Sequence, residues 1–199
     1  MAFKKGTEVP TIDVAMVTIE TMGDSPKEIA LTTANKIGVE VQEETTDPVK
    51  LIVKGVLIAQ KGEETTITVH RITLTDNVFN YELAKILQGG TLKYWSSAEK
   101  TGTTAEVTEF GIAGYTPPVV GSKDKGELFK LNAYSSIYDA AGILTGYEKI
   151  MYPNCKGKPF GMNSEDGVFR VSEYTIDSAP ANGEAPYDMD LVHVLPTVS

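Results

Sequence analysis

The stretch Ile37-Gly38-Val39-Glu40-Val41-Gln42-Glu43-Glu44 decides the fold class. Successive side chains of a pleated strand point to opposite faces, so its period of two assigns Ile37, Val39 and Val41 to a core and Glu40, Gln42 and Glu44 to water. A sheet with one wet face is expected.

The same signature recurs on either side. Threonine, 22 of 199 residues, clusters with Val and Ile in alternating runs, the composition of half-buried strands. Val49 to Gln60 and Thr65 to Thr75 are β-rich runs separated by Lys61-Gly62-Glu63-Glu64, which predicts a hairpin between them. Leu128 to Tyr138 and Ile143 to Tyr152 flank Asp139-Ala140-Ala141-Gly142 and predict a second hairpin. Thr91 to Trp95, Glu106 to Ile112 and Phe169 to Ile176 read as further strands. One segment departs from the period of two. Val78, Phe79, Leu83, Ile86 and Leu87 recur near helical spacing between Asp76-Asn77, which supplies an N-cap, and Gly89-Gly90, which stops the run. Many strands and one helix predict a mainly β fold, an antiparallel β-sandwich or partly open barrel with one short α-helix, rather than a parallel α/β fold.

At 199 residues and 21.5 kDa, with 41% hydrophobic and 23% charged residues, the chain has the length and balance of a single globular domain spanning 1–199. No apolar run approaches the ~18 residues that cross a bilayer. The opening Met1-Ala2-Phe3-Lys4-Lys5-Gly6-Thr7-Glu8 has no apolar stretch resembling a signal peptide. A soluble protein made in a cytoplasm, with no membrane partner, is expected. Asp and Glu number 27 against 18 Lys and Arg, a net charge of -9, and only Arg71 and Arg170 are arginines. The forks that clamp phosphates and read guanine are nearly absent, which disfavours tight nucleic-acid binding.

No catalytic, metal or cofactor site is expected. Cys155 has no second cysteine to pair with, and its neighbourhood Tyr152-Pro153-Asn154-Cys155-Lys156-Gly157 reads as a Pro/Gly turn. His70 and His193, the two histidines, have no zinc-like spacing. Glu43-Glu44, Glu63-Glu64 and Glu165-Asp166 lack the alternating frame of a calcium loop, and Gly111-Ile112-Ala113-Gly114 lacks the Lys-Ser/Thr of a phosphate cradle. Tyr94-Trp95 follows the helix directly, so packing against that helix is favoured over a sugar platform.

The C-terminal run carries more information. Phe169-Arg170-Val171-Ser172-Glu173-Tyr174-Thr175-Ile176-Asp177-Ser178-Ala179-Pro180 is followed by Gly183-Glu184-Ala185-Pro186-Tyr187 and by Val192-His193-Val194-Leu195-Pro196. Physically this is a strand with a proline-terminated end, a turn and a short final strand. The pattern resembles the closing segment of major tail proteins, the tail-tube subunits of long-tailed bacteriophages and prophages of low-GC Gram-positive bacteria. Leu31 to Val41, continuing through Thr45 to Gly55, is similar to the opening region of the same family.

The resemblance implies a β-sandwich flanked by a helix, six copies closing into a ring through strands joined across subunits, and rings stacking into a hollow tube of the virion. The implied partners are sister copies, the tape-measure, tail-terminator and distal-tail proteins, and DNA in transient non-specific passage. Stacking in that family uses a long loop and terminal arms. Here these correspond to about 96–126, with Thr101, Thr103, Thr104, Tyr115, Lys123 and Lys125 as candidate contacts, and to about 1–10. Two physical arguments run parallel to it. Open sheet edges that a monomer must blunt can pair in a ring, and an acidic lining repels DNA where a basic one would hold it. Glu40, Gln42 and Glu44 are the candidate lumen residues. The competing reading is a non-catalytic carbohydrate-binding or adhesin-like β-sandwich module, against which stand the missing signal peptide and the single Trp.

Overall fold

A computed structural model describes residues 9–54, 56–95, 111–123, 125–181 and 183–198. In chain order the elements are β1 (Thr11–Thr21), β2 (Glu28–Leu31), β3 (Ala34–Thr46), β4 (Val49–Val53), β5 (Val56–Lys61), β6 (Glu64–Asp76), α1 (Tyr81–Gln88), β7 (Thr91–Tyr94), β8 (Ile112–Thr116), β9 (Leu128–Tyr138), β10 (Leu144–Gly157), β11 (Ser172–Ser178) and β12 (Asp188–Val192). The main sheet runs β2-β1-β9-β10-β11-β6-β3, with β12 beside β10, while β4-β5 and β7-β8 form two-stranded sheets. Every pairing is antiparallel. The sheet rolls until β1 packs near β3 without pairing to it. The fold is therefore the mainly β, antiparallel, one-helix architecture expected from the alternation, and the barrel is not closed.

Strand β10 turns the corner. Residues 147–151 pair with β12 and residues 155–157 with β11. Between them the register against β9 slips, from Tyr152 to Cys155, and Asn154 takes a φ of 48°. Such a bulge bends the strand and lets it serve both layers.

Inward residues of alternating strands fill the interior. Val17 and Ile19 of β1, Ile72 and Leu74 of β6, Phe129 and Leu131 of β9, and Tyr174 and Ile176 of β11 are all fully buried. The helix closes one side of this core with Leu83, Ile86 and Leu87. Its ends are satisfied locally: Asn80 Oδ1 accepts from the Glu82 and Leu83 amides at 2.9 and 3.0 Å, and the Lys85 and Ile86 carbonyls accept from the Gly89 and Glu127 amides at 2.8 Å. A Cβ on Gly157 would stand 2.5 Å from the Leu87 Cα, so bare backbone on β10 is what admits the helix.

Several expectations are corrected. Val49 to Gln60 does not pair as one strand with Thr65 to Thr75. It folds on itself as the β4-β5 hairpin, turning near Lys54 (φ 49°), and β6 pairs with β3 and β11 instead. The N-cap is Asn80 rather than Asp76 or Asn77, and the helix starts at Tyr81. Asp76 ends β6 and is buried, accepting from the Thr33 hydroxyl at 2.6 Å and the Val78 amide at 3.2 Å. The last long strand begins at Ser172, not Phe169, and the final one is Asp188–Val192. Trp95, for which packing against the helix was expected, is 40% exposed. The expected strand Glu106 to Ile112 falls largely outside the described residues, and Ile112 opens β8.

Candidate assembly surface

Strand β3 lies at the border of the main sheet and runs for 13 residues. It pairs with β6 on one side, and among the described residues no strand pairs with its other side. Across the ladder Ile37 faces Leu74, Val39 faces Ile72 and Val41 faces His70, and residues directly opposite share a face. That face is the core side, as the alternation predicted, but the covering stops short of the border. Leu74, Ile72 and His70 are buried, whereas Val39 and Val41 are 42% and 44% exposed. A register shift between Gln42 and Glu43 leaves Thr68 unpaired and sets Ile67 opposite Glu43, which brings Ile67 to the Val39 side. The Thr68 hydroxyl donates to the Gln42 carbonyl at 3.1 Å and holds the bulge.

Beyond this strip the chain continues into β4-β5, whose Val49, Leu51, Ile52, Leu57 and Ile58 are all more than half exposed. The junction is tied by Lys61 Nζ to Glu64 Oε1 at 3.1 Å and by the Thr45 and Thr65 hydroxyls at 3.1 Å. Burying one aliphatic side chain of this size contributes about 1.5–3 kcal/mol. An unpaired edge that ends in such a hairpin presents open backbone hydrogen-bonding groups and aliphatic surface side by side. The sequence reading missed this element because it took Val49 to Gln60 as one strand. The signal was present, since Leu51-Ile52 and Leu57-Ile58-Ala59 are aliphatic on both faces and leave no wet side.

The opposite face of β3 carries the candidate lumen residues. Glu40 faces Arg71, Gln42 faces Val69 and Glu44 faces Thr66. Arg71 Nε lies 3.1 Å from Asp177 Oδ1, and Lys158 Nζ lies 2.7 Å from Asp177 Oδ2. Burial pushes the Asp177 carboxyl up, but the hydrogen bonds and charges of Lys158 and Arg71 outweigh it, so its pKa is lowered. Lys36 and Lys156 share this face through their pairings with Thr75 and Asp177. The face is thus mixed in sign. Glu40 and Glu44 are exposed and take part in no ion pair among the described residues.

Of the loop candidates, Thr101, Thr103 and Thr104 lie outside the described residues. Tyr115 sits on β8, half-buried, and its hydroxyl donates to the Gly89 carbonyl at 2.6 Å, closing the helix end. Lys123 and Lys125 are exposed, and nearby Val119 and Val120 are 80% and 100% exposed. Tyr115, in the β7-β8 sheet, does not share a ladder with Glu40, Gln42 and Glu44 on β3.

The residues with nucleophilic or basic chemistry are dispersed. Burial pushes the Cys155 thiol up to about 12, with hydrogen bonds from Ser178 and the Leu131 backbone opposing the shift only in part. A thiol so placed is not a thiolate at neutral pH. His70 is buried with the Tyr187 ring edge-on at 5.9 Å, while His193 is exposed. Among the described residues no three His, Cys, Asp or Glu side chains converge as a metal site, and no helix is long and apolar enough to cross a membrane. No protein-family model matches the chain, and no curated protein matches it.

Proposed function

We propose that this chain is the self-assembling structural subunit of a tube, one that joins sister copies through its sheet border into stacked rings. The observation that carries the reading is β3: a long strand with one unpaired side, apolar residues uncovered on its core face, and an aliphatic hairpin at its end. Each of these costs a solitary molecule solvation or aggregation risk, and a sister copy relieves both at once. The phage tail tube is the assembly that fits this surface together with the resemblance of the terminal segments. Within it, Glu40 and Glu44 would line a passage that DNA slides through, because carboxylates offer phosphates no counterion-release gain.

The reading is tested on purified protein over a concentration series by light scattering and negative-stain microscopy. Hollow tubes or rings of uniform diameter support it. A protein that stays monomeric at every concentration and binds glycans on an array would establish the adhesin-like alternative in its place.

A further inference from the structure

The β4-β5 hairpin differs in charge from the molecule that carries it. Val49 to Lys61 holds Lys50, Lys54 and Lys61 and no carboxylate, so the rest of the chain holds the other 15 cations against all 27 carboxylates. Lys61 is engaged by Glu64, whereas Lys50 and Lys54 are exposed and have no ion pair among the described residues. The nearest carboxylates along the chain, Asp47 and Glu63, stand at the base of the hairpin. Strand β4 pairs with β5 on one side, and among the described residues no strand pairs with its other side. Alternation along β4 puts Val49 and Leu51 on one face and Lys50 on the other.

The complementary pattern stands on β12. This strand pairs with β10 and, among the described residues, with no other strand. Met189 and Leu191 take one face and are 50% and 63% exposed. Asp188 and Asp190 take the other face, exposed and without an ion pair among the described residues, although Asp188 Oδ1 accepts from the Met189 amide at 3.1 Å. Across the ladder Glu148 faces Leu191 and Lys149 faces Asp190, so three carboxylates meet one ammonium group at this border. On the other acidic border, β3, the carboxylates Glu40 and Glu44 share their face with Lys36, Arg71, Lys156 and Lys158. A chain this acidic outside its hairpin is repelled by an anionic lipid surface, and the cationic hairpin finds its complement on another copy of the same chain.

We infer that the outer side of β4 in one copy adds as a strand to the open side of β12 in a neighbouring copy, with Lys50 beside Asp190 and with Val49 and Leu51 beside Met189 and Leu191. Directly opposite residues share a face, so this register sets apolar against apolar and cation against carboxylate at once, and a slip of one residue sets each against the wrong kind. This inference rests on the self-assembly reading and gives the hairpin its partner. The two strands are different patches of one surface, so the contact is heterologous and propagates head to tail, closing as a ring or continuing as a filament.

Charge exchange tests it. Lys50→Glu with Lys54→Glu makes one variant, and Asp188→Lys with Asp190→Lys makes the other. All four side chains are exposed, so each variant should keep the circular dichroism of the wild type. Each alone should need about tenfold or more of the wild-type concentration to assemble, because like charges then meet across the contact. An equimolar mixture of the two should assemble within about threefold of the wild-type concentration, since every hairpin then meets a border of opposite charge. If both variants assemble like the wild type, the contact is wrong and the self-assembly reading survives. If only the hairpin variant is impaired, or if mixing restores nothing, the hairpin meets another surface and the inference is overturned. It is also overturned if the wild type sediments with phosphatidylglycerol vesicles and Lys50→Glu with Lys54→Glu abolishes that binding without changing assembly. A wild type that never assembles removes both readings.

Discussion

Val39 on β3 is the cross-strand partner of Ile72 on β6, yet Ile72 is fully buried and Val39 is 42% exposed. Two aliphatic side chains on the same face of the same ladder differ only in that β6 has strands on both sides and β3 has one. If a sister copy completes the border, Val39→Asp with Val41→Asp should abolish assembly. Because both positions are already half in water, the isolated subunit should lose about 1 kcal/mol or less in urea unfolding. Assembly that persists in the double variant removes the border from the interface.

Gly157→Ala should destabilise the subunit by about 1–3 kcal/mol, since the added methyl would stand 2.5 Å from the Leu87 Cα and 2.6 Å from its Cβ. Urea unfolding followed by circular dichroism measures this. An unchanged midpoint would mean that α1 is not seated on β10.

Asp177 gives a pH dependence of known sign. Its folded pKa is lowered, so its contribution is fully present above the unfolded value of about 3.9 and is lost as pH falls through the folded pKa. Asp177→Asn should therefore cost about 1 kcal/mol at pH 6, and the gap from wild type should shrink as pH drops below about 4. Chemical denaturation at pH 6 and pH 2.5 compares the two, and a gap that widened in acid would contradict the Lys158 and Arg71 pairing.

Glu40→Lys with Glu44→Lys tests the passage. Both carboxylates are exposed on a mixed face whose cation Arg71 is already engaged by Asp177, so reversal leaves uncompensated positive charge there. On the tail-tube proposal, virions built from the variant should have tubes of unchanged length and release DNA more slowly, more so at low salt. Release at the wild-type rate would place these residues away from the lumen.

How much of this was legible in the sequence follows from the range of the interactions involved. Alternation in Ile37 to Val41 and in Leu128 to Tyr138 reports which face each side chain takes, and those faces agree with the cross-strand register. It does not report how far the core extends sideways, which is why Val39 and Val41 were expected to be covered. The neighbour of β6 was also beyond local pattern. The turn signal Lys61-Gly62-Glu63-Glu64 is real, but the strand preceding it belongs to a separate hairpin, and the partner of β6 lies some twenty to forty residues back in β3. Helix capping failed for a related reason: Asp76 and Asn80 both suit an N-cap, but Asp76 is held at the end of the β6 ladder, where it accepts from the Thr33 hydroxyl, and the cap falls to Asn80. The exposed hairpin was visible as residues, but exposure is a property of the whole fold.

Amide hydrogen exchange on β3, compared between dispersed and assembled protein, probes border pairing at the backbone itself. In dispersed subunits the amides of Ala34 to Thr46 that point away from β6 have no strand partner among the described residues and should exchange quickly. Assembly should slow those amides at least about tenfold while leaving the buried ladder between β6 and β11 unchanged. If tubes form and the outward amides of β3 exchange as fast as before, the border is not where sister copies meet.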